Sequence, residues 1–283
     1  MAIDEELQAL ADLCDAAGDV ILSLFRDGVN VDRKADDSPV TEADRRAEAV
    51  ILDGLASLYP DIPVVAEEAA SAGNVPQVSD RFFLVDPLDG TREFISGRGD
   101  FTVNIALVEN GLPVMGAVFA PHRGSAFLGK RSKGAFERVS AAGAPADWRR
   151  IEVRKPAPAQ PVAVASRSHR DAQTDDLLAR LGLADSVSVG SSLKFCLLAR
   201  GEADFYPRFG RTMEWDTAAG HAVLVAAGGE VSGLDGAPFL YGKRNQPFDS
   251  DFANPGFLAA GDATLIARAA ALTRAIKAAP NAI

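Results

Sequence analysis

The chain has 283 residues and a formal net charge of −10, from 39 acidic and 29 basic side chains. A chain of this length can bury a sizeable core, in one large domain or two medium ones. Its acidity argues against general binding to nucleic acid or to an anionic membrane. It is compatible with a small phosphorylated substrate if metal ions supply the positive charge.

Cysteine usage and the N-terminal segment bear on the compartment. Cys14 and Cys196 lie in apolar, helix-like stretches, and we interpret them as buried thiols in a reducing compartment rather than as a disulfide. The start, MAIDEELQAL, lacks a basic region followed by an apolar run, and no apolar stretch approaches membrane-spanning length. We therefore expect a cytoplasmic protein without an integral membrane segment, although loose attachment to the inner membrane is not excluded.

The first sixty residues predict two helices. Apolar residues with helical spacing predict one helix over residues 4–26. Residues 32–40 are polar and turn-rich, so we expect a loop there. TEAD then places a hydroxyl at an N-cap, Thr41, and predicts a second helix that ends at about Leu58.

A strand-rich stretch follows and predicts a largely antiparallel sheet. IPVVAEE is a predicted strand that ends in Glu67 and Glu68, and RFFLVD is another. FTVNIALVENGLPVMGAVFAP alternates and turns at Asn110-Gly111, which is a strong hairpin signal. GSAFLGKRSKGAFERV repeats this pattern with a longer turn. The first half is therefore expected to be two helices on a sheet.

The second half alternates between strand and helix patterns, which is typical of α/β structure. The proline-rich residues 154–161 favour a boundary between an N-terminal α+β domain, 1–155, and a C-terminal α/β domain, 156–283. Predicted strands are PVAVAS, DSVSVG, ADFYPRF, GEVSGL and PGFLAAG. Predicted helices are TDDLLARLGL, SSLKFCLLARG, WDTAAGHAVLVAAGG and roughly residues 262–277.

Four acidic side chains, Glu67, Asp86, Asp89 and Asp216, lie where a predicted strand ends or a helix begins. Such positions place side chains at the rim of a sheet, where clefts form. Carboxylates gathered there would repel one another. A hard cation such as Mg²⁺, which takes oxygen ligands, would remove that repulsion.

The turn DPLDGT, residues 86–91, has the features of a metal and phosphate site. Asp86 could bridge two ions through its two oxygens, and Pro87 forces a turn. The Leu88 carbonyl could then face a metal while its side chain stays in the core. The second aspartate returns to the same side, the glycine lets the backbone approach a ligand, and Thr91 could meet a phosphate.

Each of these patterns alone has a simpler interpretation. An isolated DxxD usually caps a turn, and two glutamates after a strand usually form a solvated edge. Asp44 and Asp216 could each do no more than cap a helix. The order and the residue types of the whole set are more informative than any one pattern.

TEAD, VAEE, DPLDGT and EWDTAAG, in this order, resemble the lithium-sensitive, magnesium-dependent phosphatases of the inositol monophosphatase superfamily. That superfamily has the pattern D…EE…DP(I/L)DGT…WD, and the likeness spans about residues 5–262. DGTREF, SRSH, GSSLKFC and YPRFGRT further resemble its bacterial 3′(2′),5′-bisphosphate nucleotidase branch. Two positions depart from that branch: Arg92 stands where lysine is commoner, and Arg211 where proline is usual.

The resemblance implies a fold of mixed α+β and α/β character, the layered α-β-α-β-α sandwich. It also implies removal of the 3′-phosphate from adenosine 3′,5′-bisphosphate, giving AMP, with lithium sensitivity and a place in sulfur metabolism. Two or three Mg²⁺ ions are implied. Glu67, Asp86 and the Leu88 carbonyl would hold one ion, and Asp86, Asp89 and Asp216 would hold the second.

The resemblance also implies roles for the residues around the ions. Thr91, and Asp44 through it, would orient the attacking water and help to deprotonate it, while the amides of Gly90 and Thr91 would hold the phosphate. The candidate catalytic residues are Asp44, Glu67 and Thr91. The candidate substrate-binding residues are Leu88, Asp89, Gly90, Thr91, Arg167, His169, Lys194, Arg208 and Asp216.

A bisphosphorylated nucleotide needs positive charge for its second phosphate. Arg167, His169, Lys194 and Arg208 are the candidates, with Lys194 favoured because SSLK combines hydroxyls, a helix start and an ammonium. Each could instead be a solvated surface charge. The rival functions are a phosphatase for inositol phosphate or a related sugar phosphate, and a non-catalytic Mg²⁺-binding protein. The sequence is compatible with a homodimer.

Overall fold

The computed structural model describes residues 3–27, 31–34, 39–139, 147–166, 171–183 and 186–278. The helices are α1 (Glu5–Asp27), α2 (Glu42–Leu58), α3 (Glu67–Ser71), α4 (Thr91–Ile95), α5 (Ala172–Leu181), α6 (Leu193–Ala199), α7 (Glu214–Ala226) and α8 (Ala263–Ala278), with a 3₁₀ turn at Pro121–Arg123. The strands are β1 (Val31–Arg33), β2 (Pro39–Thr41), β3 (Val64–Ala66), β4 (Arg81–Asp89), β5 (Thr102–Glu109), β6 (Leu112–Ala120), β7 (Ser125–Lys130), β8 (Gly134–Val139), β9 (Arg149–Ile151), β10 (Ala163–Ser166), β11 (Ser186–Val189), β12 (Phe205–Arg208), β13 (Thr212–Met213), β14 (Glu230–Gly233), β15 (Ala253–Asn254) and β16 (Phe257–Ala260).

These elements stack in five layers. A seven-stranded sheet in the order β3-β4-β5-β6-β7-β8-β9 packs on one face against α1 and α2 and on the other against α7. Helices α6 and α7 separate it from a five-stranded sheet in the order β11-β10-β12-β16-β14. Helices α5 and α8 cover the outer face of that second sheet. The predicted α-β-α-β-α sandwich is confirmed.

Strand periodicity explains how each sheet serves two cores. Successive side chains of a strand point to opposite faces. In β4, Phe83 and Val85 belong to the core under α1 and α2, whereas Phe82 and Leu84 belong to the core beneath α7. The continuous apolar run of RFFLVD follows from this burial on both faces.

The backbone of helix α7 contacts the first sheet directly, because two strand positions opposite it are glycines and carry no side chain. A Cβ atom on Gly116 would lie 2.7 Å from the Ala219 carbonyl oxygen, and one on Gly129 would lie 2.5 Å from the Val223 Cα. These glycines therefore let the helix backbone rest on the sheet. The contact fixes the position of α7, whose first turn carries Asp216.

Most predicted helices and strands are confirmed. The hairpin turn at Asn110-Gly111 has positive φ at both residues, 51° and 75°, as a tight β-hairpin turn requires. Cys14 and Cys196 are buried and unpaired, as expected. Among the residues that the structure describes, none of the helices combines the length and apolar character needed to cross a bilayer.

Two local predictions are wrong. Residues 32–40 are not simply a loop, because Val31–Arg33 and Pro39–Thr41 pair as antiparallel strands. Main-chain hydrogen bonds join these two short segments, and a hydrophobic pattern does not reveal such pairing. The predicted strand ending in Glu67 and Glu68 stops at Ala66, and both glutamates begin α3.

The two sheets are formed by two successive parts of the chain. The first uses residues 64–151 and the second residues 163–260. A single buried cluster nevertheless joins side chains from both parts, including Phe82 with Phe257. The division into domains 1–155 and 156–283 stays a prediction.

Candidate active site

A β-bulge in β4 sets the position of the two aspartates of DPLDGT. Asp86 pairs with Asn104 and Asp89 with Thr102, so β4 carries one extra residue between these pairs. The strand thus continues to Asp89 and does not end at Asp86, as the sequence had suggested. Pro87 lies in the bulge, where its missing N–H breaks no regular ladder bond. A bulge re-aims the residues that follow it, which lets both carboxylates serve one cleft.

The bulge opens into a cleft of about 260 Å³ between the two sheets. Lys194 and Arg208 line it, together with five of the other predicted site residues: Glu67, Asp89, Gly90, Thr91 and Asp216. Asp44, Asp86 and Leu88 are buried beside it. Arg167 and His169 lie outside the described residues.

The four carboxylates are close enough to influence one another electrostatically. Asp86 is 1% exposed, and burial together with the charges of Glu67, Asp89 and Asp216 raises its pKa well above the usual range. Burial and the charges of Asp89 and Glu67 raise the pKa of Asp216 in the same way. Side chains distant in the sequence therefore form one negative cluster.

Each carboxylate on the cleft side has a hydrogen-bond or ion-pair partner. Ser192 N–H donates to Asp89 Oδ2 at 2.7 Å, and Met213 N–H donates to Asp216 Oδ2 at 2.8 Å. Lys34 Nζ contacts Glu67 Oε1 at 2.6 Å. As these side chains stand, no group of three or more His, Cys, Asp or Glu within the described ranges converges on a single metal position.

The donor set nevertheless fits hard cations. It consists of oxygen atoms, and burial together with the neighbouring carboxylates raises the pKa of the Asp86 and Asp216 carboxyls, a shift that a divalent ion would reverse. Leu88 is 1% exposed, its N–H donates to Asp86 Oδ1, and its carbonyl oxygen lies 3.2 Å from Thr91 Oγ1. Binding an ion would require Glu67 to exchange the Lys34 ammonium for the metal.

Two residues that the sequence did not indicate hold Glu67 in place. Glu48 of α2 accepts the N–H groups of Glu68 at 2.7 Å and Ala69 at 2.9 Å, and so caps α3. Lys34 contacts both glutamates of the pair, and although burial lowers its pKa, these carboxylates raise it overall. The helical i, i+4 spacing from Asp44 to Glu48 was a usable signal for the first of these.

The predicted pair of Asp44 and Thr91 is in direct contact. Gly90 adopts φ 99°, which starts α4 at Thr91, and Thr91 Oγ1 lies 3.1 Å from Asp44 Oδ1 and 3.2 Å from the Leu88 carbonyl oxygen. Asp44 Oδ2 also accepts the N–H and the hydroxyl of Thr41, both at 2.7 Å. Burial raises the pKa of Asp44, while the donors from Thr41 oppose that shift.

Ser192 connects the two sheets at the cleft. Besides its N–H bond to Asp89, its hydroxyl donates to the main-chain oxygen of Asp216 at 2.6 Å. Asn104 of β5 donates in turn to Ser192 Oγ at 3.0 Å. Sequence reasoning noted the hydroxyls of GSSLK but did not assign this role, which depends on contacts between distant segments.

The two described candidates for a second phosphate are largely committed to the main chain. Lys194 Nζ contacts the Ser191 carbonyl oxygen at 2.5 Å, and burial lowers its pKa to about 8. Arg208 donates to carbonyl oxygens of residues 210 and 211, at 3.1 and 3.2 Å. Both side chains line the cleft wall, and their contact with substrate stays a prediction.

Comparison with known proteins identifies the family. The model of the inositol monophosphatase family matches residues 3–271. The chain belongs to the inositol monophosphatase family. The family predicted from the four motifs is thereby confirmed.

Several members of the inositol monophosphatase family resemble the chain over most of its length. It is 46% identical over 254 residues to 3′(2′),5′-bisphosphate nucleotidase CysQ of Escherichia coli strain K12, covering 89% of this chain and 98% of that protein. The crystal structure of CysQ from Bacteroides thetaiotaomicron is 38% identical, has a TM-score of 0.72 and covers 90% of this chain and 97% of its own. The structure of an inositol monophosphatase from Thermotoga maritima has a TM-score of 0.75 at 24% identity and covers 96% of this chain and 99% of its own, which supports the fold alone.

Proposed function

We propose that the chain is a magnesium-dependent 3′(2′),5′-bisphosphate nucleotidase that removes the 3′-phosphate of adenosine 3′,5′-bisphosphate and yields AMP. The observation that carries this proposal is the single cleft in which the carboxylate cluster adjoins the Thr91–Asp44 pair. The 46% identity to the E. coli nucleotidase CysQ supports the choice of substrate.

The carboxylates would hold two Mg²⁺ ions, and a third ion would have no assigned ligands. Glu67, Asp86 and the Leu88 carbonyl would bind one ion, while Asp86, Asp89 and Asp216 would bind the second. When bound, such ions lower the pKa of a water molecule and stabilise the charge that develops on the leaving oxygen. The raised pKa of Asp86 and Asp216 supports this assignment, because burial and the neighbouring carboxylates disfavour their charged forms, and bound cations would offset both effects.

The protein itself supplies the acceptor for the proton of the attacking water. Thr91 Oγ1 has one proton and two acceptors in reach, Asp44 Oδ1 and the Leu88 carbonyl oxygen. When the hydroxyl donates to Asp44, its oxygen lone pairs can accept a proton from water. Burial raises the pKa of Asp44 and so makes it a better proton acceptor than an exposed aspartate.

Main-chain groups would position the phosphate at the same end of the cleft. Gly90 and Thr91 line the cleft, and the first amides of α4 have no acceptor within their own helix. These N–H groups would donate to phosphate oxygens. We further propose inhibition by lithium, a cytoplasmic location and a role in sulfur metabolism, all of which accompany the nucleotidase assignment.

Phosphate release tests the proposed substrate. The purified protein, with Mg²⁺, is assayed on adenosine 3′,5′-bisphosphate and on inositol 1-phosphate, with and without millimolar-scale Li⁺. We expect a higher kcat/KM for the bisphosphate and loss of activity with lithium. A higher kcat/KM for inositol 1-phosphate would instead assign the sugar-phosphate activity.

A further inference from the structure

The cations of the cleft wall differ in how much of their charge a ligand can reach. Lys194 and Arg208 are 5% and 8% exposed and direct their donors to main-chain carbonyls. The side chain of Arg211, by contrast, is 52% exposed and lines the same cleft. A charged substrate entering the cleft therefore meets Arg211 more directly than either buried cation.

Arg211 is held in a defined orientation by the segment that precedes β15. Its Nε lies 3.0 and 3.3 Å from the two carboxylate oxygens of Asp249, and its Nη2 lies 2.7 Å from Ser250 Oγ. Within the part of the chain that the structure describes, Nη1 makes no hydrogen bond. The guanidinium is thus fixed along one edge and offers its remaining N–H groups to a ligand.

The segment that anchors Arg211 is itself cross-linked by hydrogen bonds. Asp251 accepts from Arg244 Nε at 2.7 Å and from the Asn245 N–H at 2.6 Å. Gln246 Nε2 donates to the main-chain oxygens of Ser250 and Ala253, at 2.8 and 3.0 Å. Arg211 is therefore pre-organised, which reduces the entropy lost when it binds an anion.

Arg208 stabilises the backbone conformation around Arg211. Its guanidinium donates to the carbonyl oxygens of Gly210 and Arg211, and so orders the backbone from which the Arg211 side chain extends. The buried arginine thus has a structural task. The side chain of Arg211 remains available for recognition.

We propose that Arg211 binds the second phosphate of the substrate, the 5′-phosphate of the bisphosphonucleotide, within the same cleft. This inference rests on the proposed function. A guanidinium held by a carboxylate on one edge presents parallel N–H groups on the other, which match two oxygens of a phosphate dianion. The sequence placed this charge on other residues and treated Arg211 only as a departure from the nucleotidase branch.

Paired substrates test this assignment. Adenosine 3′,5′-bisphosphate and adenosine 3′-monophosphate share the reacting phosphate and differ in the second one. Arg211→Gln removes the cation, whereas Arg180→Gln removes a similarly exposed arginine–aspartate pair of α5 that does not line the cleft. Both variants are assayed with Mg²⁺ on both substrates.

We expect Arg211→Gln to lower kcat/KM for the bisphosphate by about ten- to a hundredfold, the usual contribution of a hydrogen bond to a charged group. Hydrolysis of the monophosphate should stay within about twofold, because this substrate lacks the phosphate that Arg211 is proposed to bind. Arg180→Gln should leave the ratio of the two kcat/KM values unchanged. An equal loss on both substrates, or no loss on either, would overturn the role of Arg211.

A binding measurement separates this inference from the proposed function. AMP keeps the 5′-phosphate, so its Kd should rise at least about tenfold in Arg211→Gln, while the Kd of inorganic phosphate stays constant. Wild-type protein that fails to hydrolyse the bisphosphate would overturn the proposed function, and the AMP comparison would still decide the role of Arg211. An unchanged Kd for AMP would reject it.

Discussion

Replacement of Thr91 by valine tests the proposed proton path with almost no change of shape. The variant loses the hydroxyl that lies 3.1 Å from Asp44 Oδ1 and 3.2 Å from the Leu88 carbonyl oxygen. Asp44 keeps the two donors from Thr41, each at 2.7 Å, so its side chain stays in place. Asp44 Oδ1 loses this donor, so the free energy of unfolding should fall by about 1–3 kcal/mol, the cost of leaving a buried acceptor unpaired.

The expected loss of activity is much larger than the loss of stability. Transfer of a proton by a positioned group contributes about 10²–10⁴-fold to a rate, so kcat of Thr91→Val should fall by that factor. Thr91→Ser keeps the hydroxyl and should retain most of kcat. Both variants are measured by steady-state phosphate release with saturating Mg²⁺ and adenosine 3′,5′-bisphosphate.

Thr273 offers a matched control. It is a buried threonine of α8 whose hydroxyl donates to the carbonyl oxygens of Leu234 and Ala270. Thr273→Val should lose a similar unfolding free energy, measured by urea titration, and keep the wild-type kcat. A Thr91→Val enzyme whose kcat stays within about tenfold of wild type would refute the proton path, because the loss would then fall below the range of general base catalysis.

Two further variants test the metal cluster and a buried histidine. Asp86→Asn can keep the hydrogen bond from Leu88 N–H but loses the negative charge. We expect a folded, inactive protein. Mg²⁺ at a hundred times its Kd should raise the free energy of unfolding of the wild type by about 2.7 kcal/mol, and this increase should be absent from the variant. Wild-type hydrolysis by Asp86→Asn would contradict the metal assignment. Burial lowers the pKa of His221 from 6.5 to about 3, so its contribution to stability is complete above pH 6.5 and is lost as pH falls toward 3. Urea titrations between about pH 4 and 6 measure how the free energy of unfolding rises with pH. In His221→Gln this rise should be smaller than in the wild type by up to about 1.4 kcal/mol per pH unit, and equal slopes would contradict the prediction.

Features that depend on neighbouring residues were predictable from the sequence. The N-cap of α2 combines Thr41 with Asp44 three residues later, and the structure forms both bonds of this capping box. Asn110-Gly111 likewise specifies a tight turn through two positive φ angles. In both cases the physical cause lies within a few residues, so one short stretch contains the whole signal.

The bulge in β4 shows where such reasoning stops. RFFLVDPLD has no alternation, because both faces of the strand are buried. The register therefore cannot be inferred from the pattern, and the pairing of Asp86 with Asn104 and Asp89 with Thr102 depends on the neighbouring strand. Pro87 was expected to force a turn after the strand, whereas it lies in a bulge within a strand that continues to Asp89.

The hydrogen-bond and ion-pair partners of the acidic side chains could not be predicted from the sequence, because they come from distant segments. Lys34 contacts Glu67, Ser192 contacts Asp89, and Asp249 contacts Arg211 across long intervals of chain. A motif identifies a carboxylate by its type and order. It does not identify the donor that faces the carboxylate, because that donor is chosen by packing between layers.

Packing between layers also determines whether the four carboxylates form one cluster. Asp89 belongs to a strand of the first sheet, whereas Asp216 belongs to the helix between the sheets. Their separation depends on how closely α7 approaches the sheet, and Gly116 and Gly129 allow the helix backbone to rest directly on it. A side chain at either glycine would push α7 outward and draw Asp216 away from the other carboxylates. Gly116 and Gly129, which do not line the cleft, thus contribute to the proposed metal site by setting the position of α7.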